Sequence, residues 1–322
     1  MKRSILSLVI LFTTLSCSQI SNSQLNTKQD SEINSKNIIE KILQNIRHYP
    51  KESKYVISHT NGMCNFEIFI NDVKVTKSFN NESFSSGNEI NPYLTGNTNT
   101  LKVVLYPRED LEKLDGQTEF DVKVESYENT ERLSAEKQQN DLFVYNAPKD
   151  KDNLFKDAGK GRFEETKTFK LSNVPYTISW KDSQDLKNFD KKILEAKILE
   201  AYKMIQEAFK AKDMDKIAQF SYRKMKDQAV SQYFDKDEVQ EGWDELTSIA
   251  KAESLEFMPL EHYELVFYGD GKLVGLKSTK KDKGFRGASA LLCKFKKGGS
   301  LTGAELDYLL HIPKGKTEFE IY

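Results

Sequence analysis

This chain is poor in the residues that usually announce chemistry. Its 322 residues include three cysteines, four histidines and two tryptophans. Cys64 and Cys293 stand far apart, and no C-x-x-C or zinc-type spacing occurs, which argues against a disulfide scaffold or a zinc module. Each lies in an apolar, strand-like run, so two buried thiols are expected, with a disulfide between them the alternative in an oxidising compartment. His48, His59, His262 and His311 form no i, i+4 pair and no H-E-x-x-H motif, so no metal site is expected. There is no G-x-S-x-G, phosphate-loop or dinucleotide fingerprint, and no cofactor is expected. Gly269-Asp270-Gly271-Lys272 lies between two alternating runs and reads as a β-turn. The 48 basic and 49 acidic residues leave a formal charge of −1, without the strongly basic domain of a nucleic-acid binder. Beyond the first seventeen residues no stretch is apolar enough to span a bilayer, which takes ~20 residues.

What is present begins with those seventeen residues. Met1-Lys2-Arg3 is basic, Ile5 to Leu15 is a short apolar run, and Ser16 precedes Cys17. A charged start, an apolar run of roughly 7–15 residues and a small residue before the cut make a secretory signal. The Ser16-Cys17 junction resembles a bacterial lipoprotein signal, which implies that residues 1–16 are removed and that Cys17 carries the lipid. Ordinary secretion is the alternative, since Thr14 and Ser16 also approximate a small-x-small cleavage site. Removal of Lys2 and Arg3 takes the formal charge from −1 to −3. Residues 18–22 carry no acidic run, which favours the periplasmic side of the envelope.

The mature length suits two domains. Residues 17–36 are polar and aperiodic and read as a flexible tether. Residues 37–180 read as a short helix plus a β-sandwich. Ile38, Ile39, Ile42, Leu43 and Ile46 share one helical face, after which the period changes to two. Cys64, Phe66, Ile68 and Ile70 begin the alternation, and Asn71-Asp72 can turn the chain into Val73 and Val75. Leu101–Leu105, Phe120–Val124, Leu142–Tyr145, Thr166–Leu171 and Tyr176–Trp180 continue it. Seven or eight such strands predict an antiparallel sandwich. Glu89 to Val103 is similar to a turn-then-strand segment of jelly-roll domains attached to glycosidases, a likeness of geometry that does not imply sugar binding.

Residues 181–322 read as helices followed by an antiparallel sheet, an α+β layout. Leu194, Ile198, Ala201, Ile205, Ala208 and Phe209 form one stripe, Asp213 is a plausible cap for a second helix, and Asp237–Ala252 predicts a third. Strands are expected at Tyr263–Tyr268, Leu273–Leu276, Ala290–Phe295, Glu305–Ile312 and Thr317–Tyr322. Ile198 to Ala218, with Glu241-Gly242-Trp243-Asp244-Glu245-Leu246, resembles the opening of NTF2-like domains, which implies helices over a curved sheet enclosing a cone. In that family a polar residue of the cone is the usual acid or base, so the resemblance makes His262, Tyr263, Trp243 and Asp244 the pocket candidates, with Glu245 as a second carboxylate.

One surface feature remains. Lys280, Lys281, Lys283 and Arg286 face only Asp282, with Phe285 between them. On strands such lysines line a solvent face or guard an edge, and on a loop they make a docking patch. The expectation is therefore a lipid-anchored envelope protein acting as a non-catalytic binding or interaction module, of inhibitor or immunity type, with an unknown protein partner. Alternatives are an enzyme acting on a small or sugar-like substrate in the C-terminal pocket, and a structural envelope component.

Overall fold

The computed structural model describes residues 23–129 and 139–322, so the expected signal segment and its Cys17 lie outside the described residues. Eight strands form the first half: β1 (Ser53–Gly62), β2 (Asn65–Ile70), β3 (Val73–Ser78), β4 (Ser85–Glu89), β5 (Thr98–Tyr106), β6 (Glu119–Glu128), β7 (Gln139–Asn146) and β8 (Phe163–Lys170). They pair antiparallel in two four-stranded sheets, ordered β4-β1-β6-β7 and β3-β2-β5-β8. The period-two pattern dictates this: Tyr55, Ile57, Phe66, Ile68, Leu101, Val103, Val122 and Val124 all point between the sheets and are buried there. Asn71 and Asp72 take φ of 49° and 62°, the doubly positive turn that joins β2 to β3. In the jelly-roll-like segment a 3-10 turn at Asn91–Tyr93 leads into β5. The Asn99 side chain holds that turn, accepting from Thr95 N at 3.1 Å and donating to the Gly96 carbonyl at 2.7 Å.

The second half combines α1 (Ile38–Leu43), α2 (Lys191–Lys210), α3 (Met214–Gln232) and α4 (Lys236–Ala250) with seven short strands. These are β9 (Ser254–Phe257), β10 (Tyr263–Tyr268), β11 (Leu273–Ser278), β12 (Leu292–Lys297), β13 (Ser300–Glu305), β14 (Leu310–His311) and β15 (Glu320–Ile321), ordered β10-β11-β14-β15 and β13-β12-β9. The α+β class is as expected. Each long helix starts at an aspartate: Asp190 and Asp213 accept from first-turn amides, and Asp235 forms a capping box with Glu238. The predicted stripe of α2 is buried throughout, against α3 and the strands.

Four expectations need correction. Residues 23–36 are not a free tether. Leu25 bridges Phe319, Ile33 is buried in the helical core, and the Gln29 side chain bonds both the amide and the carbonyl of Ile321, at 2.6 and 3.0 Å. Asp30 pairs with Arg223 of α3 at 2.7 Å, and Arg223 also pairs with Glu320. Composition misled because the anchors are scattered single residues whose partners lie 193 to 294 positions away. Helix α1 packs on α3 and α4 and belongs to the helical core, not to the sandwich. Tyr176–Trp180 is an extended crossing and not a strand: its alternation is one of burial, while Ser179 N bonds Asp227 Oδ2 at 2.6 Å instead of a neighbouring strand. Glu305–Ile312 is broken, since Leu306–Leu309 lies outside both β13 and β14.

The halves meet along a buried seam. The outer face of β3-β2-β5-β8 contributes Phe69, Val73 and Val104, which pack on Trp180, Tyr268, Leu273 and Tyr322. Gly269 is required here: its φ is +58°, and a Cβ would lie 2.8 Å from the Trp180 ring. Asn91 ties the seam by donating to the carbonyls of Ser53 in the sandwich and Ser231 in α3, at 3.0 and 2.9 Å.

Candidate functional site

Strand β2 builds the site through its alternation. Phe66, Ile68 and Ile70 face the sandwich core, so Glu67 and Phe69 face the second half, while the Asn65 side chain bonds Asn81 and the Pro107 carbonyl. Phe69 enters the aromatic seam, while Glu67 lies at the seam's polar end, where a cleft of about 530 Å³ opens. Phe79 and Tyr106, with ring centroids 5.4 Å apart, form one wall. The loop from Ser278 to Gly287, between β11 and β12, forms the other.

That loop is pinned by two lysines of β3. Lys74 donates to the Gly287 carbonyl at 2.7 Å and pairs with Glu305 at 3.2 Å, and Lys77 donates to the Gly284 carbonyl at 3.3 Å. Gly287 has φ +72°, and a Cβ there would lie 2.9 Å from Phe79 and 3.1 Å from Glu67 Oε1. Within the loop, Phe285 and Arg286 donate their amides to the Asp282 carbonyl.

The Glu67 side chain is 2 % exposed. Its Oε2 accepts from the Tyr106 hydroxyl at 2.7 Å, and Lys277 stands 3.8 Å from the same oxygen while pairing with Glu264 at 3.0 Å. Its Oε1 has no hydrogen-bond partner among the described residues. Burial, and then the Glu67 charge, push the Tyr106 phenol well above its usual range, so it stays a donor. Burial lowers the Lys77 ammonium, against the pull of Glu305. The Arg286 guanidinium covers Phe79 at 4.5 Å and Tyr106 at 5.7 Å.

Of the patch residues marked in the sequence, Lys280, Lys281 and Arg286 line this cleft. Lys283 pairs with Glu109 at 3.6 Å, and Phe285 is half-buried against Gly303, not fully exposed. Lys294, Lys296 and Lys297 lie exposed on β12, the middle strand of its sheet, so they guard no edge.

The pocket candidates of the second half do not converge. His262 is exposed at φ +52°. Tyr263 donates to Glu195 at 3.0 Å, and Trp243 is buried in the helical core. Asp244 and Glu245 line an open acidic concavity on α4 that none of those three residues lines. The space between helices and sheet is filled, with Tyr202, Phe209, Leu276, Leu291 and Tyr308 all at most 5 % exposed. Cys64 and Cys293 are buried free thiols, pushed up by burial to about 12 and about 11. Among the described residues no group of three or more His, Cys, Asp and Glu could hold a metal, and no helix is long and apolar enough to cross a membrane.

Glu67 was not singled out from the sequence, although a signal exists. Asn65–Ile70 carries apolar residues on both faces, the mark of two-sided burial, so a carboxylate in its middle has to be partnered inside the protein. No family model, curated protein or solved structure matches the chain.

Proposed function

We propose that this chain is an exported envelope protein, anchored through a lipid on Cys17, that works as a non-catalytic binding module and engages its ligand or partner at the seam cleft. The observation that carries this reading is the convergence of Lys280, Lys281 and Arg286 over the buried Glu67 at the junction of the two halves. Clefts between packed units, with an aromatic wall and a few fixed polar groups, are where ligands bind. The filled interior of the helix–sheet half supports binding over pocket catalysis. Within this reading that half is an NTF2-like module with a closed cone, supported by the order of α2–α4 before β9–β15 and by the Ile198–Ala218 resemblance.

Native mass spectrometry of the protein released gently from its host envelope tests the reading. A second component at fixed stoichiometry is expected, and it should be lost when Lys280, Lys281 and Arg286 are all changed to glutamate. Retention of that component by the triple variant would move the binding surface elsewhere. Cys17→Ala should release the protein from the membrane fraction. A variant that still sediments with membranes refutes the anchor.

A further inference from the structure

We infer that the seam cleft takes a zwitterion, a free amino acid or a short peptide, with its ammonium on Glu67 and its carboxylate on Arg286 and the neighbouring lysines. The inference rests on the binding reading above and names the ligand for that same site.

Glu67 sets the first requirement. A buried carboxylate is stable only when its oxygens are bonded and its charge is balanced. The Tyr106 hydroxyl serves Oε2 but is neutral, and Lys277, 3.8 Å from the same oxygen, is shared with Glu264, to which it lies closer at 3.0 Å. Oε1 has no hydrogen-bond partner among the described residues and lies beside Gly287, where a Cβ would be 3.1 Å away, and both residues line the cleft. The group that completes it is a donor, and an ammonium both donates and neutralises, in the stronger, charge-assisted kind of bond.

The opposite rim sets the second. Lys280 and Lys281 carry no ion pair among the described residues, and Arg286 rests on the Phe79 ring instead of on an acid. A guanidinium held over aromatic rings without an acid partner keeps N–H donors for a planar, two-oxygen acceptor such as a carboxylate. Four cations and three carboxylates line the cleft, a near balance that suits a zwitterion better than a polyanion. Between the two ends, Phe79 and Tyr106 offer an apolar surface for a side chain.

Isothermal titration of the intact mature protein decides the matter, with L-phenylalanine, the tripeptide Ala-Phe-Ala, the N-acetyl and C-amide forms of each, and inorganic phosphate as probes. Binding by an unblocked probe is expected, weakened at least about tenfold by either block, as befits loss of one charge-assisted contact. The free amino acid and the tripeptide tell the two sources apart. Glu67→Gln keeps the side-chain shape and should cost a similar factor. Lys281→Glu lies on the exposed rim and should weaken binding with unchanged thermal melting. Equal binding of N-acetyl and free forms overturns the inference, as does phosphate binding that Glu67→Gln leaves untouched. If no probe binds while the Lys280, Lys281 and Arg286 triple variant still loses its native component, the ligand class is wrong and the binding reading stands.

Discussion

A carboxylate with one oxygen bonded and the other bare is uncommon inside a protein, and Glu67 is held that way by its neighbours. Tyr106 fixes Oε2, and Gly287 packs so close to Oε1 that a Cβ there would lie 3.1 Å from it. His311 shows the same logic for a base. Its ring is 1 % exposed, Nδ1 meets the Ser183 hydroxyl at 2.7 Å, and Nε2 has no partner among the described residues. Burial, helped by Arg223 and Lys316 and opposed by Glu320, pushes it down to about 4 from 6.5. Burial lowers His59 as well, inside an aromatic cage of Phe66, Phe84 and Phe120. Between pH 6.5 and 4 the unfolded chain therefore binds more protons than the folded one, and stability falls as pH falls through that window. For His311 alone the loss is up to about 3 kcal/mol. Urea unfolding at pH 7, 5.5 and 4.5 should show this slope, shallower in His311→Asn. A slope unchanged by that substitution would refute the assignment.

At the scale of elements, what could be read from the sequence was local. The strands β2, β3, β5 and β6 and the hairpins turning at Asn71-Asp72 and Asp270-Gly271 follow from period two and positive-φ residues, which act between neighbours in the chain. The three aspartate caps are equally local. Residues 23–36 and 176–180 were misread because their partners are distant: Phe319 and Ile321 for the first, Asp227 and the seam for the second. The site divides the same way. The Lys280–Arg286 cluster is visible as charge, whereas Glu67 acquires its meaning only when two halves of the chain meet over it. Deleting residues 24–34 tests the docked segment. It removes the buried Leu25 and Ile33 and uncovers Phe319, so a loss of about 3 kcal/mol or more is expected in urea unfolding. An unchanged midpoint would restore the tether.

Across the whole molecule the buried seam is expected to couple the two halves in unfolding. Trp180 is 2 % exposed and packs between the sandwich face and the second half. Trp180→Ala should destabilise by about 3–5 kcal/mol, the usual cost of emptying such a site. Because the cavity lies between the halves, far-UV circular dichroism and differential scanning calorimetry of the variant should resolve two transitions where the native protein shows one. A single transition shifted to lower temperature would mean that the aromatic seam is not what couples them.

The bridge between Leu25 and Phe319 also has a mechanical meaning. A pull applied upstream of residue 23 enters the fold at that bridge and at the Asp30–Arg223–Glu320 cluster, and from there runs into α3 and β15. The eight-stranded sandwich lies off that line of force. With the opposing load on the helix–sheet half, that half bears the strain, and the sandwich, held to it by the seam, is carried along.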